Sequence, residues 1–142
     1  MRIVLDANIY ISSELSPSGL CGKVMNLFIQ LDSPFELILT EKIFAEVSEV
    51  FLRPRVMKII KKNEMEIRLA MEYFRNLGTF VPDIPISSTE CRDPKDTIYL
   101  AAADAARADL VVSFDKDLLE LKEYKDIKIV QPHEFIYIAN QI

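Results

Sequence analysis

Histidine is nearly missing from this chain of 142 residues, where His133 stands alone, and cysteine occurs only at Cys21 and Cys91 with no CxxC spacing. That inventory fits neither a zinc site nor a disulfide framework, and both cysteines read as reduced thiols. His133 follows Pro132 at a helix start, a capping or surface position more than that of a general base. No apolar run reaches the roughly 18 residues that span a membrane, and the N-terminus enters a strand directly, without a signal peptide. A soluble, cytoplasmic protein is expected. An excess of basic charge is lacking too: Lys plus Arg number 17 against 22 for Asp plus Glu, a net charge of −5. Broad electrostatic adhesion to nucleic acid works by displacing counterions with basic surface, so that mode is excluded. A nucleic-acid substrate would need metal bridges and a local basic patch.

Apolar residues are plentiful, making up 50% of the chain. With this length they suffice for one buried core, so a single domain over residues 1–142 is expected, without repeat, linker or low-complexity tract. Arg2 to Leu5 is a short apolar run with β-branched members, which suits the buried centre of a parallel sheet. Ser16-Pro17-Ser18-Gly19 breaks the pattern, and the apolar spacing from Leu20 to Leu31 is helical. Phe35 to Leu39 reads as a second strand and Thr40 as the N-cap of a helix from Glu41 to Arg53. Helices over about Pro54 to Lys61 and Glu64 to Leu77 follow, with Gly78 as a C-terminal stop. Thr79 to Val81 is a brief strand and Pro82 to Arg92 a loop. The remainder reads as helix Pro94 to Ala108, strand Asp109 to Phe114, helix Lys116 to Lys122, strand Ile127 to Val130 and a closing helix from Pro132. Strands alternating with helices predict an α/β fold, a three-layer α/β/α sandwich with a mainly parallel central sheet.

Four acids stand out against this pattern: Asp6, Glu46, Asp96 and Asp115. Each lies where a strand hands over to a helix or within a helix beside such a junction, and ligands of open α/β sheets bind outside the carboxyl ends of the strands. Each also has an ordinary structural explanation. In Asp93-Pro94-Lys95-Asp96, Asp93 reads as N-cap and Asp96 as an acid favoured by the helix dipole. Asp115 can cap the helix that holds Asp117 in its first turn, Asp6 can stabilise a turn with Asn8, and Glu46 can be one more exposed helical acid. Their joint placement at one rim argues for a shared purpose. Carboxylates crowded together raise one another's pKa, and protonation or a bound cation relieves them. Hard oxygen ligands without histidine or paired cysteine point to magnesium or manganese, and hence to attack on a phosphate ester. Arg53, Arg55, Lys58, Lys61 and Lys62 form the available basic patch, read either as a solvated helix face or as an RNA contact.

The segments "IVLDANIYISS", "EKIFAEVSEVFLRPRV", "DPKDTIYLAAADAARADLVVSFDKDLL" and "IKIVQPHEFI" together resemble a PIN-domain protein, in particular the VapC-like toxin components of prokaryotic toxin–antitoxin pairs. The resemblance runs in order over nearly the whole chain. It implies a Mg2+- or Mn2+-dependent ribonuclease whose acidic residues match Asp6, Glu46, Asp96 and Asp115. Asp6 and Asp96 are then the first metal ligands; Asp115, also a metal ligand, pairs with Glu46 at a second metal or behind the first to orient the attacking water, and Asn8, Asp93, Ser113 and Asp117 are accessory candidates. Arg53, Arg55 and Lys58 are the candidates for RNA contact. Many relatives carry glycine where this chain has Phe114, a departure that bears on the aim of Asp115. The resemblance also implies a homodimer and inhibition by a small antitoxin, for which the stripe over residues 43 to 60 offers a groove.

Such a site lowers the pKa of a metal-bound water, so hydrolysis needs no histidine base. An aspartyl phosphatase would want a second Asp two residues after Asp6, where Asn8 stands, and a receiver domain would want paired acids at the first strand and a lysine ending its last core strand. Neither pattern is present. The alternative of another class is a non-catalytic PIN scaffold that binds a protein partner or RNA.

Overall fold

The structure is a computed structural model that describes residues 1–86 and 94–142. The expected roles of Asp93 and Cys91 lie outside the described residues. The strands are β1 (Arg2–Leu5), β2 (Glu36–Leu39), β3 (Thr79–Phe80), β4 (Leu110–Val112), β5 (Glu123–Tyr124) and β6 (Ile127–Val130). They form one sheet in the order β3-β2-β1-β4-β6-β5, parallel throughout except for the β5–β6 pair. Ile3, Val4 and Leu5 are wholly buried, as are Val111 and Val112 of the neighbouring β4, which is what a continuous apolar run becomes when both faces of a strand are covered.

The helices are α1 (Ala7–Leu15), α2 (Leu20–Ile29), α3 (Glu41–Phe51), α4 (Pro54–Ile60), α5 (Glu64–Leu77), α6 (Thr97–Ala106), α7 (Lys116–Leu119) and α8 (Pro132–Ala139). They flank the sheet, giving the expected α/β sandwich. Helix α6 packs against β1, β2 and β4, whereas α1 packs on α2, α3 and α4. No helix among the described residues is long and apolar enough to cross a membrane.

Local chemistry explains where these elements start and stop. The Thr40 hydroxyl accepts a hydrogen bond from the Ile43 amide at 3.1 Å and opens α3. Asn63 and Glu66 form a reciprocal capping box at the head of α5. Gly78 does close α5, yet its φ of −87° is open to any residue. Its smallness serves packing instead, because a Cβ there would meet Leu39 Cδ1 at 2.5 Å.

Three expectations need correction. Helix α1 is absent from the periodicity reading because Ile9, Tyr10 and Ile11 are contiguous rather than spaced. The Asp6 carboxylate caps its first turn, accepting from the Asn8 amide at 2.8 Å, and packing on α2 and α3 holds the rest. The helix expected over Lys116 to Lys122 ends at Leu119, and left-handed residues Lys122 (φ 63°) and Lys125 (φ 55°) fold the chain back so that β5 pairs with β6. No glycine marks these turns, so the sequence carries no hairpin signal there. The stripe over residues 43 to 60 is not an open groove: Ile43, Val47, Phe51 and Ile60 are buried in the core. The exposed apolar stripe lies on α5 instead, at Met65, Leu69 and Tyr73.

Candidate metal centre and active site

At the carboxyl end of β1 the chain passes directly from the buried Leu5 to Asp6, the N-cap of α1. Strand β1 lies between β2 and β4, so the segments that follow all three strands meet above it. Asp6 comes from the end of β1, Glu46 from the second turn of α3 after β2, and Asp115 from the turn after β4. Asp96 ends the 3₁₀ turn Pro94–Asp96 that leads into α6. All four acids line one open cavity of about 200 Å³, together with Asn8, Val50, Arg53, Lys95 and Tyr99. The crevice lies outside the carboxyl edge of the sheet, where chain direction lets successive loops diverge to either side.

Capping and clustering turn out to coexist. Asp6 caps α1 through Oδ1, and its Oδ2 accepts the hydroxyl of Ser113, which is itself fully buried. The same Ser113 oxygen accepts the Asp115 amide at 2.8 Å, so one hydroxyl ties the end of β1 to the end of β4. Asp115 caps α7 by accepting from the Asp117 amide at 2.7 Å. Asp96 differs from both. Although it stands at the N-cap of α6, its side chain makes no capping bond, and it is 6% exposed. Asp96 is thus a buried acid at the cavity wall. Asp96, Asp115 and Asp117 each offer a carboxylate oxygen within 4.8 Å of the others, a three-acid group in which the accessory candidate Asp117 stands beside two of the expected ligands. Asp6 and Glu46 share the cavity without belonging to that tight group.

Electrostatics agree with a site meant for positive charge. Burial pushes the Asp6 carboxyl above its usual range. The Ser113 hydroxyl and Asn8 amide oppose that shift, while the nearby charges of Asp115 and Glu46 add to it. Tyr99, buried on α6, donates its hydroxyl to Glu46 and accepts the Ala7 amide at 3.2 Å. Burial foremost, and then Glu46, raise its ionisation far beyond the ordinary tyrosine range, so the hydroxyl keeps its proton.

The remaining candidates separate clearly. Arg53 lines the cavity while pairing through two nitrogens with Glu49, at 3.1 and 2.9 Å. Arg55 and Lys58 are exposed on α4 and are not among the lining residues. Lys62, further along the same basic run, lies 3.6 Å from Glu14. Ser13 is buried and donates to the Tyr10 carbonyl, and Thr40 serves α3, so both are structural. His133 is exposed on α8, away from the lining residues. The Phe114 ring is 44% exposed and does not line the cavity, so it does not narrow the cleft. Tyr99 and Lys95 are the polar lining residues that the sequence reading did not single out. The available signal was that Tyr99 follows Asp96 by three residues and therefore shares its side of the helix.

Comparison with known proteins agrees with this geometry. An uncharacterized protein of Methanocaldococcus jannaschii is 24% identical over 144 residues, an alignment spanning 96% of this chain and 90% of that protein. Among solved structures, VapBC2 from Rickettsia felis, bound to a DNA fragment from its promoter, superposes with a TM-score of 0.63 at 12% identity, covering 92% of this chain and 98% of that one. VapBC-1 from nontypeable Haemophilus influenzae does so with a TM-score of 0.60 at 13% identity, covering 94% and 99%. These structural likenesses establish the fold. The family is established by sequence, because the PIN domain profile matches residues 2–117, from the first residue of β1 to the last acid of the cluster, and the chain belongs to the PIN domain family.

Proposed function

We propose that this protein is a divalent-metal-dependent endoribonuclease of the cytoplasm, one PIN domain over residues 1–142, acting as the VapC-like toxin of a toxin–antitoxin pair. The observation that carries the reading is the convergence of Asp6, Glu46, Asp96 and Asp115 from separate elements on a single cavity. Membership of the PIN domain family and the likeness to VapBC structures support it.

The donors fit a magnesium or manganese ion. All are carboxylate oxygens, and those of Asp96, Asp115 and Asp117 lie close enough to share one cation. Asp96 and Asp115 are the ligands we assign first, with Asp117 beside them and Asp6 contributing from the end of β1. When bound, the metal supplies Lewis-acid polarisation of the phosphodiester and a lowered pKa for the attacking water. The chain's own residues do the rest. Ser113 holds Asp6 and the Asp115 backbone at a fixed spacing, Glu46 orients the water, and Arg53 and Lys95 at the cavity wall neutralise substrate phosphate. Arg55 and Lys58 lie too far along α4 to line the cavity and would contact only a longer RNA.

The test is incubation of the purified protein with a structured RNA of mixed sequence in manganese or in EDTA, with Asp96→Asn in parallel. Cutting by wild type in manganese alone, and none by the variant, is the expected result. A rise in melting temperature with manganese but no cutting of any RNA would favour the scaffold that binds without cleaving. Equal stabilisation of Asp96→Asn and wild type by manganese would remove Asp96 from the ligand set. The resemblance further implies a homodimer, which light scattering checks against the 16.3 kDa chain mass. The toxin role predicts growth arrest on expression, relieved by Asp96→Asn and by co-expression of the antitoxin.

A further inference from the structure

We propose that Tyr99 is a positioning residue of this site, its hydroxyl holding the Glu46 carboxylate at the cavity wall and tying it to the backbone that carries Asp6. The inference rests on the nuclease reading above and adds to it a residue outside the acidic set. Three elements meet at this one oxygen. It belongs to α6, where Tyr99 follows Asp96 by three residues; it donates to Glu46 of α3; and it accepts the amide of Ala7, the residue after Asp6. Tyr99 thus links, through a single side chain, the segments that bear three of the four converging acids. Its ring lines the cavity and is 3% exposed.

A buried tyrosine seeks partners for its hydroxyl whatever its role. In this protein that need is not met everywhere, because the buried Tyr10 hydroxyl has no hydrogen-bond partner among the described residues. Tyr99, by contrast, engages two partners on two other elements, and one of them, Glu46, is an acid of the cavity. A glutamate side chain has three rotatable bonds, and among the described residues the Tyr99 hydroxyl is its hydrogen-bond partner. Using Oε2 for that bond restricts the carboxylate at the cavity wall. Outer partners of this kind set the aim of the groups that touch metal, water or substrate, and their loss typically costs about 10–100-fold in metal affinity or activity.

The experiment is a double-mutant cycle on the full chain with Tyr99→Phe, Glu46→Gln and both together. Each is read by manganese-dependent RNA cleavage, with kcat and KM separated, and by calorimetric manganese affinity. Tyr99→Phe keeps the ring and removes both hydrogen bonds, so a far-UV spectrum and melting curve confirm the fold. We expect Tyr99→Phe to lower kcat about 10–100-fold with KM little changed, and the double variant to be no worse than Glu46→Gln alone. Losses that multiply would mean that Tyr99 does not act through Glu46, which overturns the inference while leaving the nuclease intact. Unchanged kcat and unchanged manganese affinity in Tyr99→Phe would overturn it equally. If Tyr99→Phe does not fold, Tyr99→Met, whose flexible side chain fills the space without a hydroxyl, repeats the cycle. A wild type that binds manganese without cutting leaves the calorimetric cycle to decide, with multiplying losses of affinity again overturning the inference. A wild type that neither binds manganese nor cuts removes the nuclease reading and this inference with it.

Discussion

Asp6 carries more conflicting demands than any other residue here: it ends a buried strand, caps a helix, accepts the Ser113 hydroxyl and shares a cavity with other acids. Burial raises its carboxyl pKa, so folding holds the Asp6 proton more tightly than the unfolded chain does. The stability contributed by Asp6 is then fully present below about pH 4 and is lost as pH rises through the raised value. Asp6→Asn abolishes that titration while asparagine still caps α1. In EDTA the variant should melt above wild type at pH 7, with the gap closing towards pH 4; a gap independent of pH would contradict the burial argument. Tyr10 makes the complementary case. Its buried hydroxyl lacks a partner among the described residues, so Tyr10→Phe removes a desolvation cost and keeps the edge-on contact with Phe74 at 5.1 Å between ring centroids. A gain of about 1 kcal/mol in urea unfolding is expected, and a loss of that size would point to a partner for the hydroxyl.

The helices convert caps into site geometry. Helix α3 begins at Thr40, 1% exposed, and its register from that cap determines where Glu46 points. Thr40→Ala should cost about 1 kcal/mol by denaturant unfolding and should lower cleavage through a less fixed Glu46. A stability loss without any change in cleavage would show that α3 is held by packing alone. Just beyond the opposite end of α3 stands Arg53, the N-cap of α4, paired with Glu49 one turn back, so the α3–α4 segment brings both an acid and a base to the cavity. Helix α6 brings Asp96, at its N-cap, and Tyr99. The C-terminal hairpin of β5 and β6 lies beyond the cluster and completes the sheet edge without contributing a lining residue.

At the scale of the whole molecule, a net charge of −5 and an acidic cleft would leave the proposed RNA binding dependent on the cation and on few basic contacts. With Arg53 and Lys95 as the two phosphate contacts, affinity in manganese should fall with salt at a logarithmic slope of about −1.4 for single-stranded RNA. A fluorescence anisotropy titration measures this. A slope several times steeper would bring Arg55, Lys58 and the rest of the α4 run into the interface, and tight binding in EDTA would contradict the metal bridge altogether.

Much of the architecture was legible before any coordinates. The apolar runs of β1, β2, β4 and β6 marked buried parallel strands, and Thr40, Gly78 and Pro132 marked helix boundaries, because these signals act within a few residues. The acids were legible as candidates, since each follows a strand or opens a helix. What local pattern could not carry was α1, whose apolar residues are contiguous and which is held by packing on α2 and α3, or β5, made by turns without glycine. Nor could it tell which acids crowd together. By itself the sequence determined the order of the elements other than α1 and β5, and a supply of carboxylates beside one histidine and two cysteines outside any CxxC spacing. Only the tertiary structure decided that Asp96 lines the cavity, that its carboxylate lies close to those of Asp115 and Asp117, and that Tyr99 reaches Glu46 across 53 positions of chain. The physical reason is that propensity and capping act along the chain, whereas proximity of carboxylates depends on how strands pair and helices cross, which no neighbouring residue encodes.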